Sequence, residues 1–463
     1  MTNSSPVLAD LDGDGALDIV FGAGVDRLRP GPEGYTFSDE PEIPGHVIAV
    51  SGAGNEILWD APNPGEAFTT ARFLDVNGDG VLDVIMGGRE GAFTAFGGAD
   101  GTTLWRVDPQ GVAKTPVPYN FFSPALIEDV NGDGVNDLVV VYGGDDTKLP
   151  GDARDPGHLV MISGSDGAIL SVHETPDGSE SYSSVVVYRR PDGREWLIFG
   201  TGGETHGGTA YRAPVASLMD GSFRTRVERL VPAGAKGVMA PATLVELTGD
   251  GEPDVVISTF DGRLIAVDGA TREALWHHSA EGEEAYHPAA VTRITPDGRL
   301  GLALSRGMGV FPRYVGTVHR LYDAADGELL YEYRDPQHPA GAPLAVDLNG
   351  DGIDEPFFFS MRYPTARGGR IHVLDVSTRQ LVTHDVSGNM ASTPLIADPR
   401  QTGTLELIAL SWHIGPGAGA PDWRNMSWEL TRLDLGAPTP PLMAWAGYMG
   451  TAANGRYEGA ARN

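Results

Sequence analysis

An acidic nine-residue phrase recurs along the 463 residues and constrains the fold more than any other feature. It runs from Asp10 to Asp18, Asp75 to Asp83, Asp129 to Asp137, Glu246 to Asp254 and Asp347 to Glu355. Each copy precedes a short apolar run such as Ile19-Val20-Phe21 or Leu138 to Val141. Three eroded copies keep the register, from Tyr188 to Trp196, Arg293 to Gly301 and Asp398 to Glu406. The eight starting positions are 47 to 65 residues apart, the period of propeller blades, and no interval is long enough to hide a ninth unit. An open row of such units would leave sheet edges exposed, whereas radial closure protects them.

Within a unit the order of signals is regular. A strand introduced by a small residue and proline (Ser123-Pro124, Ala240-Pro241, Thr393-Pro394) leads into the acidic loop and a second strand. A variable loop and a third strand follow, then an Asp-Gly turn at Asp100-Gly101, Asp166-Gly167, Asp220-Gly221 or Asp326-Gly327. Leu104-Trp105 and Leu275-Trp276 begin fourth strands, with the tryptophans packing between blades. The 63 Gly and 34 Pro, spread along the chain, fit many short strands joined by turns. The expected fold is all-β: a closed, eight-bladed β-propeller of four-stranded antiparallel blades over residues 1–437. The tail 438–463, with Trp445, Tyr448 and Tyr457, is expected to close the ring or dock a partner.

Composition narrows the chemistry. The absence of cysteine excludes disulfides, thiolate metal sites and thiol nucleophiles. A net charge of -30 without a Lys/Arg cluster argues against nucleic acid, whose phosphates require clustered cations. No apolar run approaches the roughly 18 residues of a membrane helix, so the chain is not expected to span a membrane. Residues 1–5 lack the basic and apolar regions of an export signal, and Pro6 already opens a strand-like segment. The expectation is an exported protein, extracellular, at the cell surface or periplasmic, whose signal is absent from this sequence.

The loops point to calcium. Oxygen donors at positions one, three, five and nine, with the carbonyl at seven, can converge on a hard cation, and the glycine at six permits the sharp turn. The predicted ligands are Asp10, Asp12, Asp14, Ala16 and Asp18; Asp75, Asn77, Asp79, Val81 and Asp83; and Asp129, Asn131, Asp133, Val135 and Asp137. Two less regular loops offer Glu246, Thr248, Asp250, Glu252 and Asp254, and Asp347, Asn349, Asp351, Ile353 and Glu355. A merely solvated turn would leave the four carboxylates between Asp10 and Asp18 repelling one another. About five Ca²⁺ are expected. The eroded turns are expected to hold none, with Arg400 replacing the ion by pairing with Asp398 and Glu406.

These loops, their spacing and the apolar runs after them resemble the FG-GAP/VCBS repeat family over nearly the whole chain. That resemblance implies a calcium-loop propeller of the kind found in integrin alpha subunits and bacterial surface proteins, with the calcium role carried to the five intact loops. The turn-plus-Leu-Trp phrase also resembles quinoprotein-type repeats, including those of eight-bladed assembly proteins without a cofactor.

Two functions compete. A calcium-stabilised binding or scaffolding module is the reading the residues favour, because every intact loop lies in a blade turn. The alternative is an enzyme, polysaccharide lyase-like or quinoprotein-like, and no catalytic residue can be assigned from sequence: there is no Gly-x-Ser-x-Gly elbow and no His-Glu-x-x-His. Strand order puts the acidic loops and Asp-Gly turns at one end of each blade and the long irregular loops at the other. Those loops and the blade links carry His206, His287, Arg306, Arg313, Tyr314, Arg362, Tyr363, His413, Trp423 and Arg424, suited to a protein partner or an anionic or carbohydrate-like ligand.

Overall fold

The computed structural model describes residues 4–24, 28–31, 34–37, 45–115, 118–145, 148–149, 151–311, 313–362, 368–390, 392–414 and 426–457. The chain divides into two compact units, Met1–Pro241 and Ala242–Asn463, each with four consecutive antiparallel sheets. The fold class is the one expected, an eight-bladed β-propeller that is nearly all-β, with three strands in its last blade.

In the first unit, blade 1 is Val7–Ala9, Asp18–Ala23, Gly45–Val50 and Ile57–Asn63, with a side hairpin of Leu28–Gly31 and Gly34–Phe37. Blade 2 is Arg72–Leu74, Asp83–Gly87, Phe93–Phe96 and Thr103–Arg106. Blade 3 is Ala125–Ile127, Asp137–Gly143, His158–Ile162 and Ile169–Glu174, and blade 4 is Val186–Arg189, Glu195–Gly200, Ala210–Pro214 and Glu228–Arg229. The Asp220-Gly221 pair departs from expectation. It lies between a 3₁₀ turn, Val215–Leu218, and a helical turn, Phe223–Arg226, instead of closing a tight hairpin.

The second unit begins with blade 5, made of Thr243–Val245, Asp254–Ser258, Arg263–Val267 and Ala274–Ser279. Blade 6 is Ala290–Arg293, Leu300–Val310, Arg313–Asp323 and Leu329–Asp335; blade 7 is Leu344–Val346, Glu355–Met361, Gly369–Asp375 and Gln380–Val386. Blade 8 is Leu395–Ala397, Thr404–Ile414 and Met426–Pro438.

Each interior blade is buried on both faces, which explains why its second strand reads as a continuous apolar run. Along Asp137–Gly143 side chains alternate: Leu138 and Val140 join the core shared with blade 2, whereas Val139 and Val141 join the core shared with blade 4. Phe358 and its neighbours Phe357 and Phe359 divide in the same way on blade 7.

Successive blades are also stapled through tryptophan. The Nε1 of Trp59 donates to the Gly98 carbonyl of blade 2 at 2.7 Å, that of Trp105 to Gly164 of blade 3 at 2.9 Å, and that of Trp276 to Ala324 of blade 6 at 2.9 Å. The indole lies flat on the following Asp-Gly turn. A Cβ built on Gly101, Gly167 or Gly327 would meet the Trp59, Trp105 or Trp276 ring within 2.8 Å.

The segment after Pro438 turns back into the second unit. Trp445 exchanges backbone hydrogen bonds with Ala345 (2.8 and 3.0 Å), the Ala446 carbonyl accepts from Ile396, and Leu244 pairs with Gly455 and Tyr457. The tail thereby hydrogen-bonds to the first strands of blades 7, 8 and 5, with the Trp445 ring fully buried among them.

Two glycine substitutions separate backbone strain from the indole contact. Gly221 has φ +76° with open space around it, so Gly221→Ala is expected to cost only the left-handed penalty, about 1 kcal/mol. Gly167 has φ +74°, but a Cβ there would lie 2.7 Å from the Trp105 ring, so Gly167→Ala adds overpacking of about 1–3 kcal/mol. Thermal denaturation of both variants checks the difference; equal losses would remove the staple from the account.

Candidate metal loops and ligand face

The five acidic loops share one scaffold. In the first, the Asp10 carboxylate accepts the amides of Gly13 (2.8 Å) and Gly15 (3.2 Å), while Asp12 accepts from Asp14 and Asp14 accepts from Ala16. Gly13 and Gly15 have φ of +75° and +90°, which the wrap requires. The same amide pair is taken by Asp75 from Gly78 and Gly80, by Asp129 from Gly132 and Gly134, by Glu246 from Gly249 and Gly251, and by Asp347 from Gly350 and Gly352. Asn77, Asn131 and Asn349 occupy the place of Asp12, each accepting the amide two residues on. Asp79, Asp133, Asp250 and Asp351 likewise accept from Val81, Val135, Glu252 and Ile353, and Thr248 donates to Glu246.

The ninth position does more than offer a ligand. Asp18 is wholly buried, accepting the Leu11 amide at 2.7 Å and, from across the blade, the Gly52 amide at 2.9 Å. Asp83 does the same with Val76 and Gly98, Asp137 with Val130 and Gly164, and Asp254 with Leu247 and Gly269. Burial pushes all four carboxyls up, against the pull of these amides. Glu355 accepts Leu348 and the Asn349 side chain, and burial, with Asp347 and Asp351 nearby, pushes it up to about 7. Asp133 goes the other way, to about 2, because the Ser165 hydroxyl and the Val135 amide donate to it.

The donor set fits a hard cation. Oxygens of Asp10, Asp12 and Asp18 lie within 4.8 Å of one another, and each amide-bound carboxylate oxygen keeps a second lone pair. In the eighth unit Arg400 donates to Glu406 at 2.8 Å, and Arg432 takes the other Glu406 oxygen. Asp398 accepts the Thr402 and Gly403 amides and the Thr439 hydroxyl, so the expected bridging of both acids by Arg400 is corrected to pairing with Glu406. Arg293, at the eroded start of blade 6, is paired with the buried Asp354 of blade 7.

Acidic loops and third connections share an end of each blade, as the Asp18–Gly52 contact requires, and second connections meet the blade links at the other. Gly91 donates to Tyr119, Gly202 to Glu180 and Gly309 to Gly282. In the first unit that end holds His206, with Nδ1 3.6 Å from the buried Glu180. Tyr182 donates to Glu180 at 2.9 Å and Arg154 lies 3.5 Å away. Burial raises Glu180 and pushes the neighbouring Glu204 up to about 7.

In the second unit the structure brings His287 and Tyr314 together through Tyr286. The Tyr314 and Tyr286 rings meet edge to face at 6.5 Å, Tyr286 meets His287 at 6.5 Å, and Tyr314 meets His338 at 6.1 Å. Other predicted residues lie apart. Arg313 is exposed at the hairpin tip, Arg362 lies 3.9 Å from Asp385, and His413 pairs with Glu429 at 2.7 Å. Arg306 is 1% exposed, donating to the Gly262 carbonyl beside Glu283, so its expected place on the ligand face is corrected to an interior one. Tyr363, Trp423 and Arg424 lie outside the described residues. Sequence reasoning missed Glu180, Glu204, Glu284 and His338; their only signal was a position in the links and second connections.

A second buried constellation joins blades 6 and 7. His372 lies 2.9 Å from Asp335, Ser360 donates to Asp335 at 2.8 Å, and His319 contacts Ser305 at 2.9 Å. Burial raises Asp335, yet the His372 and Ser360 hydrogen bonds outweigh it and hold the carboxyl well below its usual range. Burial pushes His319 down to about 3 and His287 down to about 4.

A model of the FAM234A/B β-propeller matches residues 42–220. No curated protein matches the chain. Among solved structures, a quinohemoprotein alcohol dehydrogenase from Comamonas testosteroni is 9% identical over 96% of this chain and 76% of its own, with a TM-score of 0.60. A europium-containing methanol dehydrogenase is 12% identical over 89% and 84% (TM-score 0.55), and the Dos1 propeller 10% over 88% and 90% (TM-score 0.52). At such identities the likeness is one of fold, and the class it defines is the β-propeller. Among the described residues no helix is long and apolar enough to cross a membrane.

Two predictions follow from these sites. In calcium-free protein Asp83→Ala is expected to lose about 3 kcal/mol, because two buried amides lose a charged acceptor, while Asp79→Ala is nearly neutral; denaturation under chelator measures both. His319 and His287 are expected to remain neutral in imidazole NMR spectra from pH 8 down to pH 5. Because the unfolded chain takes these protons first, their contribution to stability is full above about pH 6.5 and is lost as pH falls toward their depressed values.

Proposed function

We propose that the chain is an exported binding propeller whose blades are stabilised by calcium in the five acidic loops, and whose ligand meets the end of the blades opposite those loops. The observation that carries this reading is the convergence of the Asp10, Asp12 and Asp18 oxygens within 4.8 Å, on a scaffold that the other four loops repeat. A turn of the FG-GAP/VCBS type accounts for the pattern, the all-oxygen donors favour Ca²⁺, and the ion would offset half of the negative charge of Asp10, Asp12, Asp14 and Asp18. The opposite end supports binding because its connections differ from blade to blade and place aromatic, imidazole and carboxyl groups side by side.

A cation held by the native state alone stabilises it by mass action, at several sites at once. Chelation is therefore expected to lower the melting temperature by many degrees, and metal analysis to find about five Ca²⁺ per chain. Asp79→Ala is expected to lose one ion and keep the fold. Unchanged melting under chelator, with fewer than three Ca²⁺ per chain, would overturn the reading.

A further inference from the structure

We propose that Tyr286, His287, Tyr314 and His338, with Glu284 behind them, form a binding site for an uncharged sugar on the second unit. The inference rests on the reading of this end of the blades as the ligand face, and names the site and the ligand class.

Three segments distant in sequence build it. The link after Glu283–Glu284 brings Tyr286 and His287, the long hairpin of Leu300–Val310 and Arg313–Asp323 brings Tyr314, and the next link, His338–Pro339, brings His338. Each segment is fixed in place. Glu284 pairs with Gly307 in the strand register, and His338 pairs with Met361. The Tyr314 ring lies over Gly307, where a Cβ would come within 2.8 Å, so the glycine is what lets the hairpin tip fold back. Tyr286 is propped on the buried Phe260 at 4.7 Å. The four site rings are half-buried.

The polar groups suit hydroxyls. Tyr314 donates to Glu284 at 2.7 Å, the Tyr286 hydroxyl lies 3.4 Å from that of Tyr314, and Glu284 also accepts the Phe311 amide at 2.9 Å. Among the described residues the His287 ring meets that of Tyr286. As a neutral imidazole it offers one donor and one acceptor, the pairing that a hydroxyl satisfies in either sense. Aromatic walls meeting edge to face present ring faces to the C–H side of a pyranose. An anion is disfavoured: Glu284 is a carboxylate beside the rings, Arg320 is spent on Glu283 at 2.5 and 2.7 Å, and Arg306 is buried beneath the surface. Among the described residues Arg313, exposed at the tip, and Arg362, which follows the strand partner of His338, oppose this.

The test uses calcium-replete full-length protein titrated calorimetrically with cellohexaose, xylohexaose and mannohexaose, with hexagalacturonate as the anionic comparator. At least one neutral hexasaccharide is expected to bind, and His287→Ala and Tyr286→Ala each to weaken it at least tenfold with melting temperature and calcium content unchanged. Tyr314→Phe, which keeps the ring and removes the hydroxyl, is expected to weaken binding less than Tyr314→Ala. Binding of hexagalacturonate alone, of no saccharide, or with equal affinity in the alanine variants overturns the proposal. Hydrogen exchange on any bound complex separates the two readings. Protection around His206 and Glu180 defeats this site but leaves the ligand face standing, whereas protection confined to the acidic loops defeats both.

Discussion

The buried carboxylate at the ninth position of each regular loop is the contact on which the blade architecture turns. Asp83 exemplifies it: wholly inaccessible, it accepts Val76 from its own loop and Gly98 from the turn after the third strand. An ionised group costs a great deal to bury unless its hydrogen-bonding capacity is met, and here the amides it meets are themselves ends of chain that would otherwise be unsatisfied. The interaction ties the first and third connections together and fixes the acidic loop before any cation enters. The cation proposed for these loops would add to a preorganised turn instead of ordering a loose one.

Blade-to-blade packing has its own repeating device, and it uses the other half of the same turn. Gly98 gives its amide to Asp83 and its carbonyl to Trp59, so one residue links its own acidic loop to the preceding blade. Gly164 repeats both bonds with Asp137 and Trp105. Loss of one tryptophan or one ninth-position acid is therefore felt in two places. Where a blade lacks such a staple, other contacts stand in: Arg293 reaches from blade 6 to Asp354 of blade 7, and the tail threads Trp445 between the first strands.

Much of this was legible in the sequence because local chemistry enforces it. The glycines at positions four and six occupy left-handed conformations, and the second strands carry apolar side chains on both faces, so blade number, strand order and loop placement all leave a periodic trace. Asp220-Gly221 misled because a turn dipeptide signals a reversal but not its length, and two helical turns fill the space. Arg306 misled because a cation in an acidic chain suggests solvent, whereas strand alternation buries it beside Glu283. The grouping of His287 with Tyr314 and His338 could not be read from the chain, since it depends on how far a hairpin folds back over Gly307.

The same constraint that makes one end of the blades regular leaves the other free to vary. In blades 1, 2, 3 and 5 the ninth carboxylate ties the first connection to the third, and the lengths of these connections differ little. Second connections lie at the other end, out of reach of that carboxylate. In blade 2 the span from Gly87 to Phe93 is short, while in blade 3 it runs from Gly143 to His158 and in blade 6 the strands themselves lengthen to 11 residues each. Insertions there do not disturb the amides that secure the blade, so side chains with unmet hydrogen-bonding capacity can accumulate at that end without loss of the fold. The partly buried imidazole of His287 and the carboxyl of Glu204 are both shifted toward their neutral forms by burial, Glu204 on such a segment and His287 on a blade link at the same end. Rigid acidic turns at one end and tolerant polar-aromatic loops at the other are thus two outcomes of a single local rule.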